Sequence, residues 1–188
     1  MQYSEALGYK FKTPWGEGVI SEQTKKGEGF KQLVFENGKR LIFSCYHKTP
    51  REDLTTPDPD LGELLPKEDA EQILRFLGSK ADSGYEYLNQ SLSLNKESIK
   101  NAQSVDTAEA IYKLLYLKSL TLLSSEQPYR FDTGNLRGFQ FGDYSVPQST
   151  NIDIFPDNIS RCTLMVPESY NLTQKDVDVI ISTFTKAQ

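Results

Sequence analysis

The sequence predicts an α+β fold: a small N-terminal SH3-like β-barrel followed by a mixed helix-then-strand domain. Three observations predict it, namely short alternating strands near the N-terminus, a proline-rich stretch after them, and helical periodicity that later gives way to strands. The chain has 188 residues, 37% hydrophobic and 25% charged, which is enough apolar material for a packed core. We expect a barrel at residues 1–48, a Pro/Asp-rich linker at 49–65 and an α+β domain at 66–188.

The N-terminal segment contains four short runs typical of strands. They lie at residues 9–12, 18–21, 31–35 and 40–44. Between the last two runs, Asn37-Gly38 predicts a type I′ hairpin turn, because both residues tolerate a positive φ. A small antiparallel sheet hides its edges by closing, so these runs predict a barrel.

Residues 10–20 and 33–41 carry a recognisable pattern: a strand, Gly-Glu-Gly-Val, and a later strand that closes in Asn-Gly-Lys-x-Leu. This pattern resembles the Tudor-like, SH3-type barrel at the C-terminus of UvrD-type DNA helicases. It is similar, more weakly, to the N-terminal barrel of CarD-type transcription regulators. In those families the barrel is an adaptor that contacts RNA polymerase, so the resemblance implies an SH3-like barrel with an adaptor role. It covers about a quarter of the chain, and the helicase motifs are absent.

Beyond the linker, apolar residues recur at helical spacing between residues 66 and 125. Pro66 and the acids that follow it begin the first helix, and Gly78 ends it. Two shorter helices are predicted at 85–94 and 96–103. A capping signature at 106–109 then begins the longest helix.

The C-terminal part, residues 128–188, is predicted to hold strands and a final helix. The strands are expected near 129–131, 138–142, 151–155 and 162–166. Thr173 and Asp176 form a capping box that begins the final helix. The segment 162–181 weakly resembles the strand and helix that end DegT-type sugar aminotransferases, but the chain lacks the length and the cofactor-binding domain of that enzyme.

Charge divides the chain near the linker. Residues 1–51 contain nine Lys and Arg against five Glu, which gives this segment a net charge of +4. Because the whole chain has a net charge of −5, the remaining residues carry a net charge of −9. Aromatic rings among lysines can stack on bases while the cations contact phosphates, and they equally suit a protein partner. We therefore predict a binding surface on the barrel made of Tyr9, Lys10, Lys12, Trp15, Lys25, Lys26, Phe30, Lys31, Lys39 and Arg40.

These features favour a non-enzymatic interaction module, an adaptor or regulator in transcription, repair or defence. A protein partner is favoured, and nucleic acid is the second candidate. One alternative is an acidic inhibitor or immunity-type protein whose second domain blocks a basic partner. Another is a small hydrolase that uses Cys45 and His47, two residues apart on a strand. No catalytic motif stands out, and we assign no catalytic residues.

Metal, cofactor and membrane binding are not predicted. One histidine and two cysteines are too few for a four-ligand zinc site, and Asp58, Asp60 and Glu63 are interpreted as solvated linker acids. No apolar stretch reaches the roughly 20 residues of a membrane span. Because no signal segment is recognisable, we expect a cytoplasmic protein with reduced Cys45 and Cys162. The sequence carries no signal for the oligomeric state.

Overall fold

The computed structural model describes residues 3–23, 25, 29–55, 65–121, 128–141, 150–166 and 173–187. It confirms the α+β class. The strands are β1 Tyr3–Ala6, β2 Tyr9–Lys12, β3 Val19–Ile20, β4 Phe30–Val34, β5 Arg40–His47, β6 Tyr129–Asp132, β7 Arg137–Phe141, β8 Thr150–Phe155, β9 Ser160–Val166 and β10 Thr185–Lys186. The helices are α1 Pro50–Thr55, α2 Lys67–Leu77, α3 Gly84–Ser93, α4 Lys96–Lys100, α5 Val105–Thr121 and α6 Gln174–Thr183, with a 3₁₀ turn at Gly78–Asp82.

The chain divides into two compact units. The sheet unit comprises Met1–Tyr46, Pro128–Asp157 and Arg161–Gln188, and the helical unit comprises His47–Gln127 and Asn158–Ser160. The sequence prediction grouped the C-terminal strands with the helices in residues 66–188. In the structure these strands share a unit with the N-terminal strands instead, because β9 pairs with β5 in one sheet.

The strands form two sheets in the described part of the chain. The first has the order β1-β2-β10, and the second has the order β3-β4-β5-β9-β8-β7-β6. A barrel closes only when its last strand pairs with its first. Since β4 and β9 occupy the two edges of β5, the described strands do not close into the barrel that we predicted for residues 1–48.

An aromatic cluster around Phe184 forms the centre of the sheet unit's core. Phe184 follows α6 directly, and its ring stacks on Tyr9 at 5.1 Å and on Phe11 at 5.9 Å between centroids. Phe43 on β5 meets Phe184 edge-on at 6.0 Å and Phe11 at 5.5 Å. Such pairs add about 0.5–1.5 kcal/mol each beyond the burial of their surface. The last residues of the chain therefore complete the core of the first strands.

Two hairpin turns in the N-terminal segment depart from expectation. Leu7 and Gly8 join β1 to β2 with φ of 53° and 78°, a two-residue turn that the sequence analysis missed because Leu rarely adopts a positive φ. Between β4 and β5, Gly38 alone has a positive φ, of 78°. Hydrogen bonds link Phe35 N to Lys39 O and Gly38 N to Phe35 O, so this loop has three residues rather than the predicted type I′ pair.

The predicted linker begins with a helix. In α1, Pro50 occupies the first position, where its missing N–H costs nothing. Thr49 precedes it: its backbone N–H donates to the Glu52 carboxylate at 2.6 Å, and its hydroxyl accepts from Glu52 N at 3.2 Å. The hydrogen bonds that the Glu52 carboxylate accepts from the Thr49 backbone N–H and, at 2.9 Å, from the Thr49 hydroxyl lower the pKa of Glu52. Residues 56–64 lie outside the described part of the chain.

The helical unit packs α2 and α5 around Ile73, Leu77 and Leu114. A polar cluster joins the same two helices, in which Lys113 Nζ donates to Asp69 Oδ1 at 2.6 Å and also contacts Gln72 Oε1. The predicted helices at 66–77 and 85–94 correspond closely to α2 and α3, whereas the one predicted at 96–103 is shorter, ending at Lys100. Strand and helix periodicity thus predicted most elements correctly.

Cys45 on β5 and Cys162 on β9 form a disulfide. The prediction of two reduced thiols is wrong for this structure, because strand pairing brings together cysteines that are 117 residues apart. Disulfides persist in oxidising compartments, whereas cytosolic thiols are kept reduced. The bond therefore argues against the cytoplasmic location, which remains a prediction.

We expect reduction of this disulfide to destabilise the protein. A crosslink that closes so long a loop restricts the unfolded chain by up to about 4–5 kcal/mol in the chain-entropy model. The free energy of unfolding in urea, measured with and without a phosphine reductant, should fall by several kcal/mol on reduction. Two thiols titrating in the unreduced, unfolded protein would show instead that the bond is not formed.

Replacing Gly138 by alanine should also destabilise the sheet unit. Gly138 lies on β7 opposite Ile154, and a methyl group there would overlap the Asp153 carbonyl oxygen and the Phe131 ring. Overpacking of this kind costs about 1–3 kcal/mol or more. The midpoint of urea unfolding should fall clearly for Gly138→Ala and stay near wild type for Asn135→Ala, an exposed position in the same hairpin. Equal midpoints would contradict the close approach.

Candidate interaction surface

The seven-stranded sheet has one face turned to the core and one that is partly exposed. Alternation along each strand separates the two faces: Leu33, Leu41 and Phe43 are fully buried, and their neighbours point to the other side. Cys45 lies beside Cys162, and His47 beside Ser160, so β5 and β9 run antiparallel in a fixed register. Together with the pairing of β3 with β4 and of β4 with β5, this register defines the residues of the second face, here called the open face. They are Val19, Phe30, Gln32, Val34, Arg40, Ile42, Ser44, Tyr46, Arg161, Thr163 and Met165.

Large apolar side chains are exposed on the open face. Val19 is 67% exposed, Tyr46 60%, Phe30 42% and Met165 37%. They come from four different strands, so they spread across the sheet rather than along one edge. Single exposed apolar residues are ordinary, whereas several on one surface indicate an interaction site.

Two arginines lie at the ends of the exposed part of this face. Arg161 Nη2 donates to Asp153 Oδ2 at 2.6 Å, and Thr163 Oγ1 donates to Asp153 Oδ1, also at 2.6 Å. Asp153 is only 2% exposed, so a buried carboxylate holds the guanidinium of Arg161 in place. Arg40 is exposed and forms no ion pair with any residue that the structure describes.

Of the predicted binding residues, Tyr9 is misplaced. Its ring is 4% exposed and stacks on Phe184, so it belongs to the core and offers no surface to a ligand. Lys10 and Lys12 lie on the outer side of β2, with their Nζ atoms 5.6 and 4.7 Å from the centre of the Tyr3 ring. This contact is a cation–π arrangement at the surface, and Tyr3 was not in the predicted set.

Trp15 is half-buried and packs edge-on against Phe35 at 5.3 Å, while Lys39 Nζ lies 4.9 Å above its indole ring. The indole thus packs against a core residue of the sheet unit, and the Lys39 ammonium group occupies a position over its ring. Its position favours a structural role over an open stacking platform.

The remaining predicted residues lie in several places. Lys25 forms an exposed ion pair with Glu22 at 2.9 Å, and Lys31 Nζ donates to Lys25 O at 3.0 Å. Lys26 lies outside the described residues. Phe30 and Arg40 share the open face. The structure therefore does not gather the ten predicted residues into one site.

The open face also holds residues that sequence reasoning missed, namely Val19, Tyr46, Met165 and Arg161. Alternation along β5 carried a signal for Tyr46, since Arg40, Ile42 and Ser44 precede it at intervals of two. Met165 and Arg161 carried none, because their place beside β5 depends on pairing between strands far apart in sequence.

The chemistry proposed for Cys45 and His47 is not supported by this geometry. The Cys45 sulfur is bonded to Cys162 and is not a free nucleophile. His47 Nδ1 lies 3.1 Å from Ser160 Oγ, but Ser160 is only 3% exposed, so a substrate could not reach its hydroxyl. The contact between His47 and Ser160 is better explained as a hydrogen bond that fixes the neighbouring ends of β5 and β9.

Within the described ranges, no three His, Cys, Asp or Glu side chains gather as metal ligands, and the acids at 58, 60 and 63 fall outside those ranges. Among the helices described, none has the length and apolar character needed to cross a membrane.

Comparison of the sequence with protein-family models gave no match, and comparison with curated proteins gave none either.

Proposed function

We propose that this chain is a non-enzymatic protein-binding module, an adaptor or regulator, that contacts its partner through the open face. The observation that carries the proposal is the joint exposure of Phe30, Tyr46 and Met165 on one sheet face, with Arg40 and Arg161 at its ends. Aromatic residues, Met and Arg are the types enriched where proteins bind one another.

A protein partner suits this face better than nucleic acid. Val19 and Met165 offer aliphatic surface, which buries well against another protein but does not stack on bases. Nucleic-acid affinity depends on many cations that neutralise phosphates, whereas the defined residues of the open face include two arginines and no lysine.

The SH3-like character of the first 48 residues is part of the same proposal. Strands β1 to β5 lie in two sheets that share the Phe11–Phe43 contact, as the strands of a small barrel do. In the families that this segment resembles, the barrel is an adaptor, which agrees with a binding role. The inhibitor alternative gains less support, since Asp69, Glu71 and Glu97 each pair with a lysine of the helical unit.

The test compares two double variants of the full chain as immobilised baits in native lysate treated with nuclease. One carries Phe30→Ala and Tyr46→Ala on the open face. The control carries Tyr112→Ala and Tyr116→Ala, two similarly exposed tyrosines on α5 in the helical unit. Wild type and control should retain the same discrete proteins, and the open-face variant should lose them, because truncating such anchors costs about 2 kcal/mol or more.

The midpoint of urea unfolding, measured for each bait, checks that the substitutions at these exposed positions leave the fold intact. Retention of the same proteins by the open-face variant would contradict the proposal, and so would the loss of all bound material after nuclease treatment.

A further inference from the structure

We infer that the occupant of the open face is an acidic, partly apolar protein segment, with carboxylates that meet Arg40 and Arg161 and apolar side chains between them. This inference rests on the proposed function and names the chemistry of its partner. It follows from the charge of the face, from the way in which Arg161 is held, and from the distance between the two arginines.

The open face is positive, although the chain is acidic. Its defined residues include two arginines and no acid. The register of β6 and β7 places Arg130 and Arg137 on the same side of the sheet, together with the exposed Asp132, which lies directly opposite Arg137. The nearest acid across β9 is Asp153, which is buried and already bonded to Arg161 and Thr163. Among the defined residues of the open face, incoming carboxylates would therefore meet the exposed Arg40 and the exposed part of Arg161.

Arg161 is prepared to accept a second carboxylate. A guanidinium has five N–H donors in a planar fork, and the contact with Asp153 uses Nη2. The Arg161 side chain remains 44% exposed, whereas the Asp153 side chain is 3% exposed, so a partner can reach part of the arginine although the carboxylate that holds it is buried. Because Asp153 fixes the fork, less side-chain entropy is lost when a partner carboxylate binds it in a bidentate manner. Asp153 is thus a positioning residue for Arg161.

Geometry sets the spacing of the carboxylates. Arg40 and Tyr46 lie six residues apart on β5, and Tyr46 is next to Arg161 in the register. A strand advances by roughly 3.3 Å per residue, so the two arginines lie about 20 Å apart along the face. Ile42 and Met165 lie between them. An extended segment with acids about six residues apart and apolar residues between them matches this arrangement.

The experiment selects displayed random peptides on the immobilised full chain and then measures the Kd of the enriched peptides at low and high salt. Asp and Glu should be enriched on both sides of apolar positions. Arg40→Ala should weaken binding by about tenfold or more, and high salt should do the same. Arg161→Lys, which keeps the charge but loses the fork, should also weaken binding, whereas Arg75→Ala, on exposed α2 surface, should not. Arg40 has no described ion pair, so its variant should fold normally.

The outcomes separate this inference from the proposed function. Enriched peptides that lack acids, or a selection that enriches no peptide, would overturn the inference. Peptides that depend on Phe30 and Tyr46 but are insensitive to salt and to Arg40→Ala would overturn it while leaving the open face as a docking surface. Tighter binding of single-stranded oligothymidylate than of any selected peptide would overturn both.

Discussion

The pairing of β5 with β9 is the constraint on which the sheet unit depends. It joins three N-terminal strands to four strands from the second half of the chain, and it occupies the edge of β5 that a closed barrel would need. A sheet that continues in this way has a broad second face. The open face exists because the N-terminal strands extend into a larger sheet instead of closing on themselves.

The same pairing explains where the core and the disulfide lie. Residues 117 apart become neighbours, so Cys45 and Cys162 bond at the junction between the two halves of the sheet. On the core side, α6 and Phe184 cover strands from both halves, with Val177 and Ile180 fully buried. On the other side, Asp153 accepts hydrogen bonds from both Thr163 and Arg161 and holds Arg161 next to residues of β5. Core and surface thus both combine distant parts of the chain.

Local physics made most elements predictable from the sequence. The capping box of Thr173 and Asp176 and the apolar stripe of α6 appear where expected, because they depend on residues within one or two turns. The missed helix α1 also had a local signal, since Thr49 and Glu52 form a capping box around Pro50. Register and pairing depend on long-range contacts that periodicity does not encode.

The candidate site shows the same division. Phe30 and Arg40 were predicted from the composition of the first strands, and both lie on the open face. Tyr9 was predicted as a surface ring because strand alternation does not say which face is buried, and its packing against Phe184 needed the C-terminus of the chain. Arg161 could not be predicted from the sequence, because its position depends on Asp153 of β8 and on the pairing of β9 with β5.

The most direct measurement is the pattern of cross-strand nuclear Overhauser effects between β5 and β9 in the reduced, isotope-labelled protein, where the disulfide cannot hold the strands together. The pairing predicts contacts between backbone protons of Ser44 and Thr163 and of Tyr46 and Arg161. Contacts from β5 to β1, with none to β9, would show a closed N-terminal barrel and contradict the account.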